Sequence, residues 1–455
     1  MSCRHDPHRA DGLHTRWARG WVRLSRIVIV AILAGASLTA PALAQTSTPP
    51  VTREEYNKLQ RQINDMEANY QRQIAALKAQ LEALQKQPDT PAADTGRIKQ
   101  RVQELESELS DVRTLAEQSK PGANKFVVTG FGSTGYINTE GGESTFTAAF
   151  NPIFLYKLGE RAFAEAELEF ELADNGDTET NLEFAKFAYI VNDHLTLSGG
   201  KFLTPLSTFK EHLHPTWINK LPDQPLFATG STRLIPTSSV GFEGRGAVAI
   251  RKTKLTYAAY VSNGFNLQTA GANAGKLAFN NSVDMNNSKS VGGRLGFFPI
   301  PALEVAYAIN LGNVNGPGVP NTTAVVQDVS FAYVKESAEL GGKLDVRGEL
   351  VFSDVNDRDF GSGVFDNSRT GGYAQIAYRP TMSDSFLQNI EGVFRYDFID
   401  QPAQAPTSFD ESRYTLGVNY WLAPSAVVKV AYLIDAKSGA TADANAFMVQ
   451  FALGF

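Results

Sequence analysis

The chain has little cysteine, few histidines and no apolar run long enough for a membrane helix. Its single cysteine, Cys3, lies in a segment that we expect to be removed on export, so the mature protein is predicted to have neither thiol nor disulfide. A Cys-ligated metal and a cysteine nucleophile are thereby excluded. The longest apolar run, residues 27–38, is shorter than the roughly 20 residues that a transmembrane helix needs.

Catalytic motifs are absent as well. The sequence has no Walker loop, no Gly-x-Ser-x-Gly elbow and no His-Glu-x-x-His pair, and only His194, His212 and His214 follow the export segment. The His212–His214 pair has only Glu211 and Asp223 nearby, so we expect no metal site there. We therefore predict no enzymatic activity and no cofactor. The excess of 48 Asp and Glu over 42 Lys and Arg argues against nucleic-acid binding.

The N-terminus has the pattern of a secretory signal peptide. Arginines flank the apolar run of residues 27–38, and Ala42-Leu43-Ala44 forms a small-x-small cleavage site before Gln45. Because no later run is long enough for a membrane helix, an exported chain of this kind can enter a membrane only as a closed barrel.

The segment from Val51 to about Lys120 has a helical period. Apolar residues recur at spacings of three and four among Gln, Lys, Arg, Glu and Asp. A lone helix would expose this narrow stripe to water, so we predict an α-helical coiled coil that joins chains into an oligomer. The alternative is a helical hairpin within one chain, folded at the break of residues 88–96. The stripe comprises Leu59, Ile63, Met66, Tyr70, Ile74, Leu77, Leu81 and Leu84 before the break and Ile98, Val102, Leu105, Leu109 and Val112 after it.

From Lys125 onward the pattern changes to the two-residue period of strands. In the last strand Phe447, Val449, Phe451, Leu453 and Phe455 alternate with small or polar residues. One apolar face suits a barrel in lipid, and Phe455 resembles the terminal sorting signal of bacterial outer-membrane barrels. The alternative is an ordinary half-buried strand. About sixteen strands are predicted, near residues 126–137, 145–157, 161–173, 182–192, 195–202, 238–250, 254–262, 288–298, 302–312, 325–337, 343–353, 370–380, 388–398, 411–422, 426–436 and 444–455.

The connections between these strands alternate in length. Up-and-down membrane barrels have this asymmetry, with tight periplasmic turns and long outer loops. An even number of strands puts both ends of the barrel on the periplasmic side and so predicts that the coiled coil lies in the periplasm. Short turns include residues 158–160, 192–194, 251–253 and 422–424, and long connections are predicted around 174–181, 203–237, 263–287, 313–324, 354–369 and 399–410.

Charged residues occupy one face of several strands. Carboxylates that alternate with Ala, Leu and Phe cannot face lipid, so this face must line water. Sixteen strands also make a barrel wide enough for an aqueous channel. The predicted lumen wall contains Glu165, Glu167, Glu169, Glu171, Asp345, Arg347, Glu349, Arg395, Asp397 and Arg413.

The connection from Leu203 to Ser239 is rich in apolar residues such as Phe209, Trp217 and Phe227, and must pack on something. We predict that it folds into the barrel and narrows it; the alternatives are packing at a subunit interface or over the mouth. Inside the barrel its basic residues would face the acidic wall and create a transverse field. The predicted constriction residues are Lys210, His212, His214, Lys220 and Arg233.

This layout resembles the trimeric outer-membrane porins of the superfamily that includes the phosphate-selective porins. The local similarity lies in residues 200–205 (GKFLTP) and 260–265 (YVSNGF). The resemblance implies a homotrimer in outer-membrane lipid and a passive channel for ions and small hydrophilic solutes. Phosphate-selective members line the pore with Arg and Lys, whereas acidic residues outnumber basic ones in this barrel segment, which argues against phosphate as the solute.

The predicted organisation is a signal peptide over residues 1–44, a periplasmic coiled coil over 45–122 and an all-β transmembrane barrel over 123–455. The predicted function is that of a bacterial outer-membrane porin. The alternative is a structural tether, in which the coiled coil links the outer membrane to peptidoglycan and the barrel is its anchor. A trimeric adhesin is disfavoured, because each chain builds a whole barrel and the coiled coil precedes it on the periplasmic side.

Overall fold

A computed structural model shows two compact units, Met1–Lys120 and Pro121–Phe455. No helix within the described residues is both long and apolar enough to span a membrane. The predicted signal peptide lies outside the described residues. The structure describes residues 68–80, 82–83, 99–107, 109–110, 125–173, 175–279, 282–284, 286–314, 322–359, 364–381, 386–406, 408–438 and 443–455.

The first unit contains helical segments at residues 68–80 and 82–83, and at 99–107 and 109–110. Ile74 is buried together with Val102, Leu105 and Leu109, so the two segments contact each other within one chain. This contact is the one that the single-chain hairpin requires; a coiled coil between chains stays a prediction. The stripe positions Leu59, Ile63, Met66, Leu81, Leu84, Ile98 and Val112 lie outside the described residues.

The second unit is a closed antiparallel barrel of sixteen strands in its described residues, with β1 paired to both β2 and β18. A two-stranded sheet, β8–β9, lies in one of the connections. The strands are β1 Phe126–Thr139, β2 Ser144–Lys157, β3 Ala162–Leu172, β4 Thr178–Asn192, β5 Leu195–Leu203, β6 Ser238–Ile250, β7 Thr253–Asn263, β8 Asn266–Leu267, β9 Leu277–Ala278, β10 Lys289–Ile300, β11 Leu303–Asn313, β12 Thr323–Ser337, β13 Gly342–Asp359, β14 Val364–Pro380, β15 Ile390–Asp400, β16 Glu411–Ala423, β17 Ala426–Lys437 and β18 Ala446–Gly454.

Burial alternates along the strands with the two-residue period. In β16, Leu416 and Val418 are exposed on the outside, whereas Thr415 and Asn419 are buried on the lumen side. Because successive side chains point to opposite faces, each such strand has an apolar outer face and a polar inner face. The prediction of about sixteen alternating strands is therefore confirmed by the strand pairing.

Two predicted connections are shorter than expected. The long connection at residues 354–369 is wrong, because β13 runs to Asp359 and β14 begins at Val364. Backbone pairing continues there between Arg358 and Phe365, although the sequence has lost its apolar face and no longer has the pattern of a strand in lipid. The connection at 174–181 is likewise shortened, because β4 begins at Thr178.

The two ends of the barrel differ in their connections. At the short-turn end, two-residue turns join consecutive strands at residues 193–194, 251–252, 301–302 and 424–425. β1 begins and β18 ends at this same end of the barrel. At the long-loop end lie residues 204–237 and 264–288. The short helical turns are Phe209–Leu213, Leu226–Ala228, Gly230–Thr232, Gly271–Asn273 and Leu387–Asn389.

Candidate functional site

The segment between β5 and β6, residues 204–237, is called the lumen loop here. Its large apolar side chains are buried, among them Leu206, Leu221, Phe227 and Ile235. Apolar groups of this size cost free energy in water, at about 1.5–3 kcal/mol for each side chain left exposed. The groups that bury them are lumen-side residues of the barrel wall and apolar residues of the connection between β7 and β10, such as Phe265 and Leu277.

An apolar cluster attaches both ends of the lumen loop to one side of the wall. The rings of Phe209 and Phe227 each lie with their centroids 6.2 Å from that of Tyr373, a lumen-side residue of β14. The wall residues of this cluster come from β11 to β15, so the loop is packed on that part of the barrel. The cluster includes Leu206, Phe209, Phe227, Leu234 and Ile235 of the loop and Ala308, Ala324, Val326, Val351, Val355, Tyr373 and Ile399 of the wall.

The middle of the lumen loop has its own apolar contact with the wall. Leu221 is fully buried in a second cluster with Ala377, Val393, Ala431 and Leu433 from β14 to β17. Beside it, a Cβ on Gly417 would lie 2.5 Å from Leu221 Cδ2, so glycine leaves the space that the leucine fills.

Two more lumen-side glycines are matched to loop side chains. A Cβ on Gly371 would lie 2.9 Å from Phe227 Cβ, and one on Gly454 would lie 2.6 Å from the Trp217 ring. Contacts this short are forbidden, because carbon atoms pack at about 3.5–4.0 Å. The wall is thus shaped to receive the loop at three separated points.

Hydrogen bonds fix the beginning of the lumen loop. Thr208 Oγ1 lies 2.7 Å from Ser330 Oγ, and Arg294 Nη2 donates to Thr208 Oγ1 at 3.1 Å. The backbone N–H of Phe209 donates to Glu349 Oε2 at 3.0 Å. Glu349, a predicted wall residue, therefore lies on the lumen side and is covered by the loop.

Ion pairs of both polarities join the loop to the wall. Lys220 Nζ of the loop donates to Glu391 Oε1 at 2.6 Å. In the opposite sense, Asp223 Oδ2 accepts from Arg395 Nη2 and, at 3.3 Å, from Arg413 Nη1. Two of the three arginines predicted for the lumen wall are thus paired with a loop carboxylate, in addition to Asp397 and Asp435 of the wall.

Lys429 of β17 holds the loop through its backbone. The side chain is buried, and its ammonium donates to the carbonyl oxygens of Thr216 and Leu221 and to Gln450 Oε1. Three acceptors match the three N–H groups of a lysine, so this cation is fully hydrogen-bonded.

A cavity of about 500 Å³ lies between the lumen loop and the wall formed by β1 to β5. The wall contributes Glu169, Glu171 and Glu183, and the loop contributes Lys210 and Arg233. The carboxylates of this cavity therefore lie on the wall, and its cations lie on the loop except for Lys201 of β5. Such an arrangement creates a field across the cavity.

The charge of Lys210 is weakened by its surroundings. Burial lowers the pKa of Lys210 to about 8, although Glu183, Glu169 and Glu171 act to raise it; Arg233 lowers it further. The ammonium donates to Gln224 Oε1 within the loop at 2.6 Å. Arg233 itself lies over the ring of Phe279, with its guanidinium carbon 5.4 Å from the ring centroid.

A second cavity, of about 590 Å³, lies at the short-turn end of the lumen. Lys220 of the loop lies there with its partner Glu391, and its ammonium is 5.3 Å from the Trp421 ring centroid. Asp345 and Arg347, predicted for the lumen wall, line the same cavity and pair with each other at 2.6 Å.

The five basic residues predicted for the constriction are thus divided. Lys210, His214 and Arg233 line the cavity that also contains Glu169 and Glu171. Lys220 lies in the other cavity. The structure therefore brings three of the five predicted basic residues together with two of the predicted wall carboxylates.

His212 lines neither of these two cavities. Its Nε2 is 3.4 Å from Glu211, which pairs with Arg245 at 2.8 Å. Burial lowers the pKa of His212 below its ordinary value, so the ring is uncharged at neutral pH. His214 Nε2 lies 3.9 Å from Glu167 Oε1, and Glu165 pairs with Lys186 at 2.9 Å.

The described residues hold no group of three or more His, Cys, Asp or Glu side chains placed to bind a metal ion. Three functional candidates were not predicted from the sequence. Lys429 occupies one of the alternate positions of β17 that face the lumen, so strand periodicity could have identified it. Asp223 has no such signal, because a loop has no period, and Glu183 falls at an irregularity of β4.

No protein-family model matches the chain, and no curated protein matches it. Among solved structures, the chain is similar to an anion-selective porin from Comamonas acidovorans, with 13% identity, a TM-score of 0.49, and coverage of 72% of this chain and 99% of that one. It is similar to OmpF of Salmonella typhi in complex with daunomycin, with 12% identity, a TM-score of 0.49, and coverage of 72% and 97%. The outer membrane channel DcaP of Acinetobacter baumannii matches with 12% identity, a TM-score of 0.48, and coverage of 72% and 97%.

Proposed function

We propose that this protein is a bacterial outer-membrane porin, a water-filled channel for passive diffusion of ions and small hydrophilic solutes that the lumen loop narrows. The observation that carries the proposal is a closed barrel with an apolar outer face and a charged inner face, in which the loop fills only part of the lumen. A soluble barrel has no use for this reversed arrangement of apolar and charged faces.

The outer face supports a membrane location. Phe146, Phe187 and Phe242 of the outer face expose 78%, 67% and 72% of their side chains. Contiguous apolar surface of this kind is rare on soluble monomers and is the normal outer surface of a barrel in lipid. All backbone groups of a closed barrel pair with neighbouring strands, which is the condition for crossing a bilayer.

The charges around the cavity support selection by size and charge. In this proposal Lys210, His214 and Arg233 form the basic side of the constriction, and Glu169 and Glu171 belong to the acidic side. Opposed charges in a narrow aqueous passage orient dipolar solutes and bias the passage of ions. Lys220 acts at the other cavity beside Glu391, and His212, uncharged at neutral pH, contributes little.

Liposome swelling with uncharged sugars of increasing size tests the proposal. Proteoliposomes of the intact protein should swell with small sugars and lose this response as the sugar grows. A variant in which a short Gly-Ser linker replaces residues 206–235 should extend the response to larger sugars. Intact, folded protein that admits none of the sugars contradicts the channel, and an unchanged size limit in the variant contradicts narrowing by the loop.

We also propose that the protein is a homotrimer and that the residues before β1 lie in the periplasm. β1 begins at the short-turn end, and short turns face the periplasm in membrane barrels. A helical unit there could associate with peptidoglycan, the tether alternative. Cross-linking of the purified protein tests the trimer, and a product no larger than one chain contradicts it.

A further inference from the structure

A β-bulge interrupts the pairing of β3 with β4. Glu167 is opposite Phe184 and Leu168 is opposite Leu182, so Glu183 is the extra residue on β4. A bulge of this kind turns a side chain out of the regular alternation and is frequent next to functional sites. Here it brings Glu183 to the lumen side of the wall, where it lines the 500 Å³ cavity.

Glu183 faces the cations of the lumen loop. Of the carboxylates that act on Lys210, Glu183 has the largest electrostatic effect, and it also acts on Arg233. The three groups line one cavity, with Glu183 on the barrel wall and the two cations on the loop. Among the wall carboxylates of this cavity, Glu183 therefore interacts most strongly with the two loop cations.

The opposite side of the lumen loop is attached to the barrel wall. Its apolar side chains and its ion pairs with Glu391 and Arg395 attach it to the strands from β11 to β17. The cavity that contains Glu183 lies on the side of β1 to β5, and the second cavity lies between the loop and the wall at the short-turn end. An ion that passes the loop along β1 to β5 meets the carboxylates of the first cavity.

We propose that Glu183 is a specificity-determining residue of the channel, whose carboxylate favours cations on the path between the lumen loop and β1 to β5. The proposal rests on the channel function proposed above. Because the carboxylate comes from a bulge, it stands in the passage in addition to the regular row of Glu169 and Glu171, and directly opposes the positive charges of the loop.

Reversal potentials of the full-length protein in planar bilayers under a KCl gradient test this. Glu183→Gln should lower the permeability ratio of K⁺ to Cl⁻ by about tenfold, because one unit charge about 6 Å from a passing ion in water favours K⁺ and disfavours Cl⁻ by about threefold each. Glu183→Asp, which keeps the charge, should restore most of the ratio. Glu143→Gln is the matched control, because Glu143 is an exposed carboxylate in the β1–β2 turn at the same end of the barrel.

The outcomes separate the two proposals. An unchanged ratio in Glu183→Gln, or an equal fall in Glu143→Gln, overturns the role of Glu183 while leaving a conducting channel. No conductance from folded wild-type protein overturns the channel itself. If Glu183→Gln does not fold, Lys210→Gln tests the same passage from the loop side: a higher K⁺ preference supports the path, and an unchanged one overturns it.

Discussion

Replacing Asp223 by asparagine should loosen the lumen loop. The Asp223 carboxylate is the loop's partner for both Arg395 and Arg413, and the side chains of Asp223 and Arg395 are 9% and 0% exposed. Asparagine keeps the shape of the side chain but removes the charge, so Arg395 would stay buried with a weaker partner. Detachment of the loop would expose this arginine to water, so the free energy of detachment should be lower in the variant than in the unchanged protein.

The size of the effect follows from what Arg395 retains. Removing one partner of a buried ion pair costs about 3–5 kcal/mol. Asp397 still accepts from Arg395 Nε at 2.7 Å, so part of the charge stays compensated. We therefore expect the free energy of loop detachment to fall by about 2 kcal/mol, which corresponds to about a 30-fold increase in the detached population.

Thiol labelling measures this population. Leu221→Cys, in a chain whose Cys3 is replaced by serine, places one thiol on the loop at a site that is fully buried against the wall. When detachment is fast and reversible, the labelling rate is proportional to the detached population. Adding Asp223→Asn should accelerate labelling about 30-fold. Asp177→Asn, at an exposed turn, is the control and should change the rate less than twofold; equal rates for the two variants would refute the reasoning.

Three further predictions concern the loop charges and the helical unit. With a pKa of about 8, Lys210 is charged below pH 8 and loses its charge above it, so cation preference in reversal-potential measurements should rise between pH 7 and 9; Lys210→Arg should abolish this rise. Lys220→Glu and Glu391→Lys should each accelerate the thiol labelling. If the two residues interact directly, the free energy of loop detachment in the double variant should exceed the value expected from the sum of the two single variants by at least about 1 kcal/mol. Deleting residues 51–120 should leave conductance intact, and loss of cell-wall association on this deletion would favour the tether role.

Strand periodicity explains why the barrel was predictable. A two-residue period assigns each side chain to one face without knowledge of the neighbouring strands, and Arg395 and Asp397 accordingly lie on the lumen side. The strand ends were less predictable, because β13 and β14 continue as a hydrogen-bonded pair after their apolar face has ended. Backbone pairing continues there, and the Asp357 carboxylate also accepts a hydrogen bond from the backbone N–H of Asn367 at 3.3 Å.

The detailed site was less accessible from the sequence. The apolar composition of the lumen loop predicted that it must be buried, but its ion pairs join residues far apart in the chain, such as Asp223 and Arg395. Which wall cations it covers depends on the folded path of the loop. Glu183 was not predicted, for a local reason. One extra residue in β4 changes which alternate positions of the strand face the lumen.

Single-channel recording from the purified full-length protein in planar bilayers tests the central claim most directly. A water-filled barrel that the lumen loop narrows without closing should give discrete current steps of uniform size, and replacing residues 206–235 with a short linker should enlarge them. Folded, inserted protein that gives no steps, with the loop present or removed, would contradict the claim that this barrel is a channel.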